Sequence, residues 1–185
     1  MHGPDGPMRS YFCRQEQYKN LFLYIKPVEH VLGYNEFNEL CKCHYIPPKE
    51  SLKELFADDS VYEQYLERRQ RTSVLSEDLD DIMSGTTFQN HALFSCDSSA
   101  LQMIAYQDDV DMCNSIGPAG GTFKLLHIGY TLGNLHPWNR SKVDPLQVLL
   151  LCKEKDVAYF GLEKVLEPVM KAFKALGEEG VDIRG

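Results

Sequence analysis

Asp108, Asp109 and Asp111 sit within four positions in "AYQDDVDMCN", just before a glycine-rich stretch, "GPAGG". Carboxylates packed this closely at the end of an apolar run are the residue type that holds paired Mg²⁺ or Mn²⁺ ions. Such ions activate a water and stabilise a leaving oxygen in phosphoryl transfer. In a regular strand, Asp109 and Asp111 project from one face and Asp108 from the other. The same acids also suit an exposed strand edge, where charge discourages edge-to-edge association. Metal catalysis needs a second and usually a third carboxylate from later strands and helices.

A second constellation is "CKCH": Cys41, Cys43 and His44, with Cys13 upstream. These four residues have the donor types of a structural Zn²⁺ site, but a single-residue gap between cysteines is tighter than the usual ligand spacing. The alternative is a set of unligated thiols packed as small hydrophobes. No local signature joins a cysteine nucleophile to a base and an orienting acid. His127 lies in an apolar run and reads as a core histidine. "GPAGG" lacks the Lys-Ser/Thr ending of a phosphate loop and reads as a turn. Trp138, in His136-Pro137-Trp138, reads as the seal of a sheet end or as a partner anchor.

The totals restrict the function classes. The chain has 185 residues, 43% hydrophobic and 11% aromatic, which supports a buried core. With 19 Lys and Arg against 27 Asp and Glu, the formal charge is -8, which disfavours contact with a phosphate backbone. The densest basic run, "ERRQR", is short and reads as a solvated helix end. No apolar run has the roughly 18 residues that span a bilayer. The first residues lack the apolar stretch of a secretory signal. Six scattered cysteines then predict free thiols and an intracellular location, nuclear or cytoplasmic.

The elements that must position these side chains divide the chain into residues 1–10, predicted disordered, 11–97, predicted mainly helical, and 98–185, predicted α/β. A strand over 21–25 is expected to close at Pro27. Ser51 and Glu54 suggest a capping box for a helix whose face carries Leu52, Leu55 and Phe56. A second helix is expected over 60–69, and a third carries Leu75, Leu79 and Ile82. The acidic serine-bearing segment ending at Asp81 reads as solvated. Three strands follow, over 101–114, 123–132 and 146–152. Leu162, Val165, Leu166, Val169, Phe173 and Leu176 then mark a helical stripe. Pro168 within it predicts a kink or a division into two helices. "VDI" at residues 181–183 reads as the start of a further strand, parallel to the third by a right-handed crossover.

Three antiparallel strands, a helix and a parallel strand are how an RNase H-like core begins, with its first metal-binding acid on the first strand, where the three aspartates lie. The wording carries this further. "YQDDVDMCNSIGPAGGTFKLLHIGYTLGNLHPWNRSKVDPLQVLLLCKEKDVAYFGLEKVLEPVMKAFKALGEEGV", with "YIPPKESLKELFADDSVYEQYL" upstream, resembles a large group of uncharacterised, transposon-derived vertebrate proteins abundant in fishes. The resemblance spans about residues 45–182. It implies an RNase H-like transposase or a degraded relative, cut short before the strands and the Cys/His-rich region with which such proteins continue. Where they carry Asn-Pro-Leu-Gly and several Lys or His residues, this chain has Asn114, Ser115, Ile116 and Gly117, with Lys124 alone left of the basic turn. That departure weakens phosphate contact.

Two expectations result. The first is a non-catalytic, transposase-derived fragment that binds a protein partner, or itself, through an open sheet edge. The second is a divalent-metal-dependent nuclease that uses Asp108 or Asp109.

Overall fold

A computed structural model describes residues 10–21, 24–71, 81–112, 124–140, 142 and 146–184. It is a mixed α/β structure around one antiparallel sheet in the order β1-β2-β5-β4-β3. The strands are β1 (Val28–Tyr34), β2 (Leu40–Tyr45), β3 (Met103–Asp111), β4 (Lys124–Leu132) and β5 (Gln147–Lys153). Its helices are α1 (Tyr11–Leu21), α2 (Pro48–Leu55), α3 (Asp59–Arg71), α4 (Thr86–Gln89), α5 (Pro137–Arg140), α6 (Glu154–Phe160) and α7 (Leu162–Glu179). The meander β3-β4-β5 matches the three predicted strands to within a few residues. The sheet nonetheless has five strands rather than about three, because β1 and β2 come from the segment expected to be mainly helical. Residues 181–184, where a parallel strand was expected, form none.

The predicted strand over 21–25 does not form: Leu21 ends α1, Tyr24 and Ile25 lie in no element, and residues 22–23 are outside the described ones. Pro27 stands before β1 instead of closing a strand, where its missing N–H costs the ladder nothing. The hairpin is then built by Asn35, whose Oδ1 accepts from the amides of Phe37 at 3.0 Å and Glu39 at 2.9 Å. The β1–β2 register shifts between Val31 and Gly33. Gly33, at φ 128°, takes a conformation that L side chains rarely adopt. This bulge turns Leu32 into the core while Val31 and Tyr34 stay exposed.

β2 ends at Tyr45, ahead of Pro47 and Pro48, and α2 begins with Pro48 in its first turn, where a missing amide proton is harmless. Ser51 therefore lies inside the helix and caps nothing. It is buried, accepts from the Tyr130 hydroxyl at 2.9 Å and donates to Gln147 Oε1 at 2.9 Å. Burial pushes the Tyr130 phenol up to about 12, with the Ser51 bond opposing. Tyr130→Phe strands the Ser51 hydroxyl without its donor. The expected loss is about 1 kcal/mol of unfolding free energy, measurable as a lower urea midpoint at unchanged slope.

The core lies on one face of the sheet. Leu126, Ile128, Tyr130 and Leu132 alternate inward along β4, and Cys43, Leu150 and Cys152 continue the layer on β2 and β5. Leu52, Leu55 and Phe56 close it from α2, Val61 and Tyr65 from α3, and Val165 and Val169 from α7. Each fully buried aliphatic side chain of this kind contributes roughly 1.5–3 kcal/mol. The predicted stripe thus becomes α7, which runs through the buried Pro168 without dividing. The division falls earlier, at Gly161 (φ 84°), between α6 and α7. Leu75 and Leu79 lie outside the described residues, and Ile82–Ser84 is a single 3-10 turn rather than the end of a helix.

Candidate functional site

The three aspartates occupy the end of β3, the strand at one edge of the sheet. Asp109 lies opposite Leu126 and Asp111 opposite Lys124, whereas Asp108 lies opposite His127. The alternation expected from sequence is realised, with Asp109 and Asp111 on the core face and Asp108 on the other. All three are exposed. The Asp108 carboxylate accepts the Asp109 amide at 2.8 Å. β3 pairs with β4 over its full length without a register shift, from Met103 opposite Leu132 to Asp111 opposite Lys124. Its other edge bears no strand among the described residues.

On the outer face, the pairing of β3 to β4, β5, β2 and β1 in turn lines up Asp108, His127, Leu151, His44 and Glu29 in one row. Residues far apart in sequence thus become neighbours at about 5 Å spacing across the strands. His127 is half-buried, with the Tyr106 ring edge-on at 5.6 Å, and is an outer-face residue rather than a core histidine. Glu29 pairs with Lys42 at 2.7 Å and with His44 at 3.5 Å. The Lys42 hydrogen bond is the main cause that holds the Glu29 carboxyl below its ordinary value. Around the row, Val31, Leu40, Val110 and Val148 are exposed. This face is apolar with a charged crossbar.

The four residues of the candidate zinc set do not converge. Cys41 and Cys43 point into the core and are buried, while His44, on the outer face, is exposed. Alternation along a strand makes this unavoidable for adjacent positions. Cys13 sits on α1, partly exposed. Among the described residues, no three His, Cys, Asp or Glu side chains come together in a way that could hold a metal ion. The same holds for Asp108, Asp109 and Asp111 as Mg²⁺ or Mn²⁺ ligands. Asn114, Ser115, Ile116 and Gly117, where the sequence resemblance lapses, lie outside the described residues.

The structure builds one polar centre that the sequence did not suggest. The Asp81 side chain, 4% exposed, receives Arg140 through two hydrogen bonds, at 2.5 and 2.9 Å, and also pairs with Arg68. Burial pushes the Asp81 carboxyl up. The Arg140 hydrogen bonds and charge, the Ile82 amide and the Arg68 charge outweigh it and hold the group below its ordinary value. Arg140 also donates from Nε to the Leu135 carbonyl at 2.9 Å and from a terminal nitrogen to the Gly133 carbonyl. With its guanidinium engaged in this way, Arg140 holds the loop after β4 and is not free for a phosphate.

Beside it, His136 Nε2 lies 3.1 Å from Glu67, and Asn139 donates to Gln64 at 2.8 Å. The Trp138 ring stacks on His136 at 4.4 Å but is 67% exposed, so it does not seal the sheet end. The acidic context of Asp81 points to solvent because neither partner is local: Arg68 lies 13 residues before it and Arg140 59 after it. The available signal was the "YTLGNLHPWNR" wording, which supplies Asn134, His136, Asn139 and Arg140. This centre ties α3, residue 81 and the β4–α5 loop together, and its charges are spent on one another.

No protein-family model matches this chain, and no curated protein or solved structure matches it either.

Proposed function

We propose that the chain is a non-catalytic, transposase-derived interaction module, intracellular and nuclear or cytoplasmic, that takes an extended protein segment along the β3 edge. The observation that carries this reading is the edge itself: nine residues, Met103–Asp111, regularly paired on one side and with no strand on the other among the described residues. Such an edge is a template for strand addition, in which main-chain hydrogen bonds supply affinity and alternate side chains supply selectivity. Asp108, Asp109 and Asp111 choose the occupant. They attract a strand with Lys or Arg opposite them and oppose a second copy of this acidic chain. The transposase origin rests on the sequence resemblance. In that reading the meander β3-β4-β5 is the remnant of an RNase H-like sheet, extended here by β1 and β2 on the side away from the acids.

The test is a titration of the ¹⁵N-labelled protein with a short peptide alternating lysine and valine. Saturable amide shifts are expected along residues 103–111. Binding weakens with salt, and Asp109→Lys with Asp111→Lys weakens it by on the order of tenfold, about 1.4 kcal/mol. Sedimentation of the free protein distinguishes self-association from partner binding. The nuclease reading, with Asp108 or Asp109 as first metal ligand, predicts a different result. Mn²⁺ would broaden the Asp108 to Asp111 amides saturably, and Asp109→Asn would abolish the effect. That outcome, with a silent peptide titration, would overturn the interaction reading.

A further inference from the structure

The β2–β5 ladder is the shortest in the sheet, with His44 opposite Leu151 and Tyr45 opposite Leu150. Among the described residues it is the only strand pairing that joins the β1–β2 hairpin to the β3-β4-β5 meander. The Ile46 amide donates to the Leu149 carbonyl at 3.0 Å, which marks that pair as hydrogen-bonded. Antiparallel ladders alternate, so His44 and Leu151 form the next hydrogen-bonded pair. Tyr45 with Leu150, and Cys43 with Cys152 one step on, then occupy non-hydrogen-bonded sites. At such sites the Cα atoms approach to about 4.5 Å, inside the range a disulfide spans. Both thiols face the core, at 0% and 2% exposure.

We propose that Cys43 and Cys152 form a convertible thiol–disulfide pair whose oxidation clamps the N-terminal hairpin to the rest of the sheet. Cys41 is not the partner of either. It shares a strand face with Cys43, but positions two apart along a strand are about 6.6 Å apart and diverge. Burial and the buried Asp156 carboxylate push the Cys41 thiol up, which keeps it protonated. Within the pair, the Cys43 hydrogen bond and burial raise Cys152, whereas the hydrogen bond from Cys152 favours ionisation at Cys43. Attack by Cys43 first is the order that this hydrogen bond favours.

The oxidant is a low-molecular-weight disulfide such as oxidised glutathione, admitted when the short seam opens locally. The Cys43 thiolate attacks one of its sulfurs, which forms a mixed disulfide and releases one glutathione thiolate. Cys152 gives up its proton and attacks the Cys43 sulfur, forming the protein disulfide and releasing the second glutathione. Two protein thiols are oxidised and one small disulfide is reduced to two thiols. The closed loop spans most of the chain, so the denatured state loses much of its freedom.

The test uses the full chain equilibrated in glutathione buffers of graded potential, acid-quenched, alkylated and mapped by mass spectrometry. A peptide cross-linked between Cys43 and Cys152 is expected to dominate over any pair that involves Cys13, Cys41, Cys96 or Cys113. Its appearance should accompany a rise in Tm of roughly 5–10 °C, retained in Cys41→Ser and lost in Cys152→Ser. Recovery of Cys43 and Cys152 as alkylated thiols in the most oxidising buffer would overturn the pair. A cross-link with unchanged or lowered Tm would overturn the clamp. Mapping of the unsubstituted protein decides the first point even if a variant does not fold.

Discussion

Asp81→Ala should lower the unfolding free energy by about 3–5 kcal/mol, the range for breaking a buried ion pair from one side. The substitution leaves two guanidinium groups, Arg68 and Arg140, facing each other across the vacated site with little exposure of their own. Loss of the counter-charge that both guanidinium groups share at a buried position is what makes the effect large. A double variant, Asp81→Ala with Arg140→Met, should therefore recover part of the loss, although it removes one more charged partner. Urea unfolding of the three proteins measures this directly. A change within 0.5 kcal/mol, the level typical of surface substitutions, would show that Asp81 is solvated as its sequence context suggests.

The same centre gives a direction for pH. The Asp81 carboxyl is held below its ordinary value in the folded chain. Its contribution is therefore fully present above the unfolded value of about 4 and is lost as pH falls below that, through the folded value. Acid titration of the wild type against Asp81→Asn should show the wild type losing its advantage below about pH 4. Above that pH the advantage should stay constant.

Phe56→Ala is the second large effect, with an expected loss of about 3–5 kcal/mol. Phe56 is fully buried at the C-terminal end of α2 and meets two tyrosines of α3 edge-on: Tyr65 at 5.3 Å and Tyr62 at 6.4 Å between ring centroids. The aromatic geometry adds to the cavity cost. Its carbonyl also accepts from Arg184 at 2.9 Å, and Arg184 stacks over Tyr62 and pairs with Asp59 at 2.8 Å. Truncation of the ring thus loosens the joint at which α2, α3 and residue 184 meet. Phe56→Leu fills most of the volume and should cost less than about 1.5 kcal/mol. Near-ultraviolet dichroism of the tyrosines, with urea midpoints, separates a local repacking from loss of the joint. Equal effects of the two substitutions would contradict a packed aromatic contact.

Where periodicity was strong, the chain was legible. The Leu162 to Leu176 stripe became α7, and the apolar runs became β3, β4 and β5, because each segment needs only its own pattern to declare a buried face. The β1–β2 hairpin was missed for a physical reason. "VEHVLGY" contains a bulge at Gly33 that shifts the period, and "LCKCHY" alternates small thiols with polar residues rather than large apolar ones. Its turn is specified by the Asn35 side chain bonding to the amides of Phe37 and Glu39, not by a glycine signal. The α2 start was misplaced because a Ser-x-x-Glu spacing matches a capping box, while the proline at Pro48 already provided the first turn. Pro168 suggested a division that α7 does not make, whereas Gly161 made one that local apolar spacing did not reveal.

Local pattern alone determined the class of the chain as mixed α/β, the faces of its long elements, and the alternation that separates Asp108 from Asp109 and Asp111. These depend on periods of two and 3.6 residues, which a single segment carries complete. Tertiary structure alone decided that β3 is an edge, that Cys43 meets Cys152, and that Asp81 lies between Arg68 and Arg140. It also set His44 and His127 in one row. Each of these rests on contacts between separate segments, from 13 residues apart for Arg68 and Asp81 to more than a hundred for Cys43 and Cys152, fixed by register and packing, and no single segment contains that information.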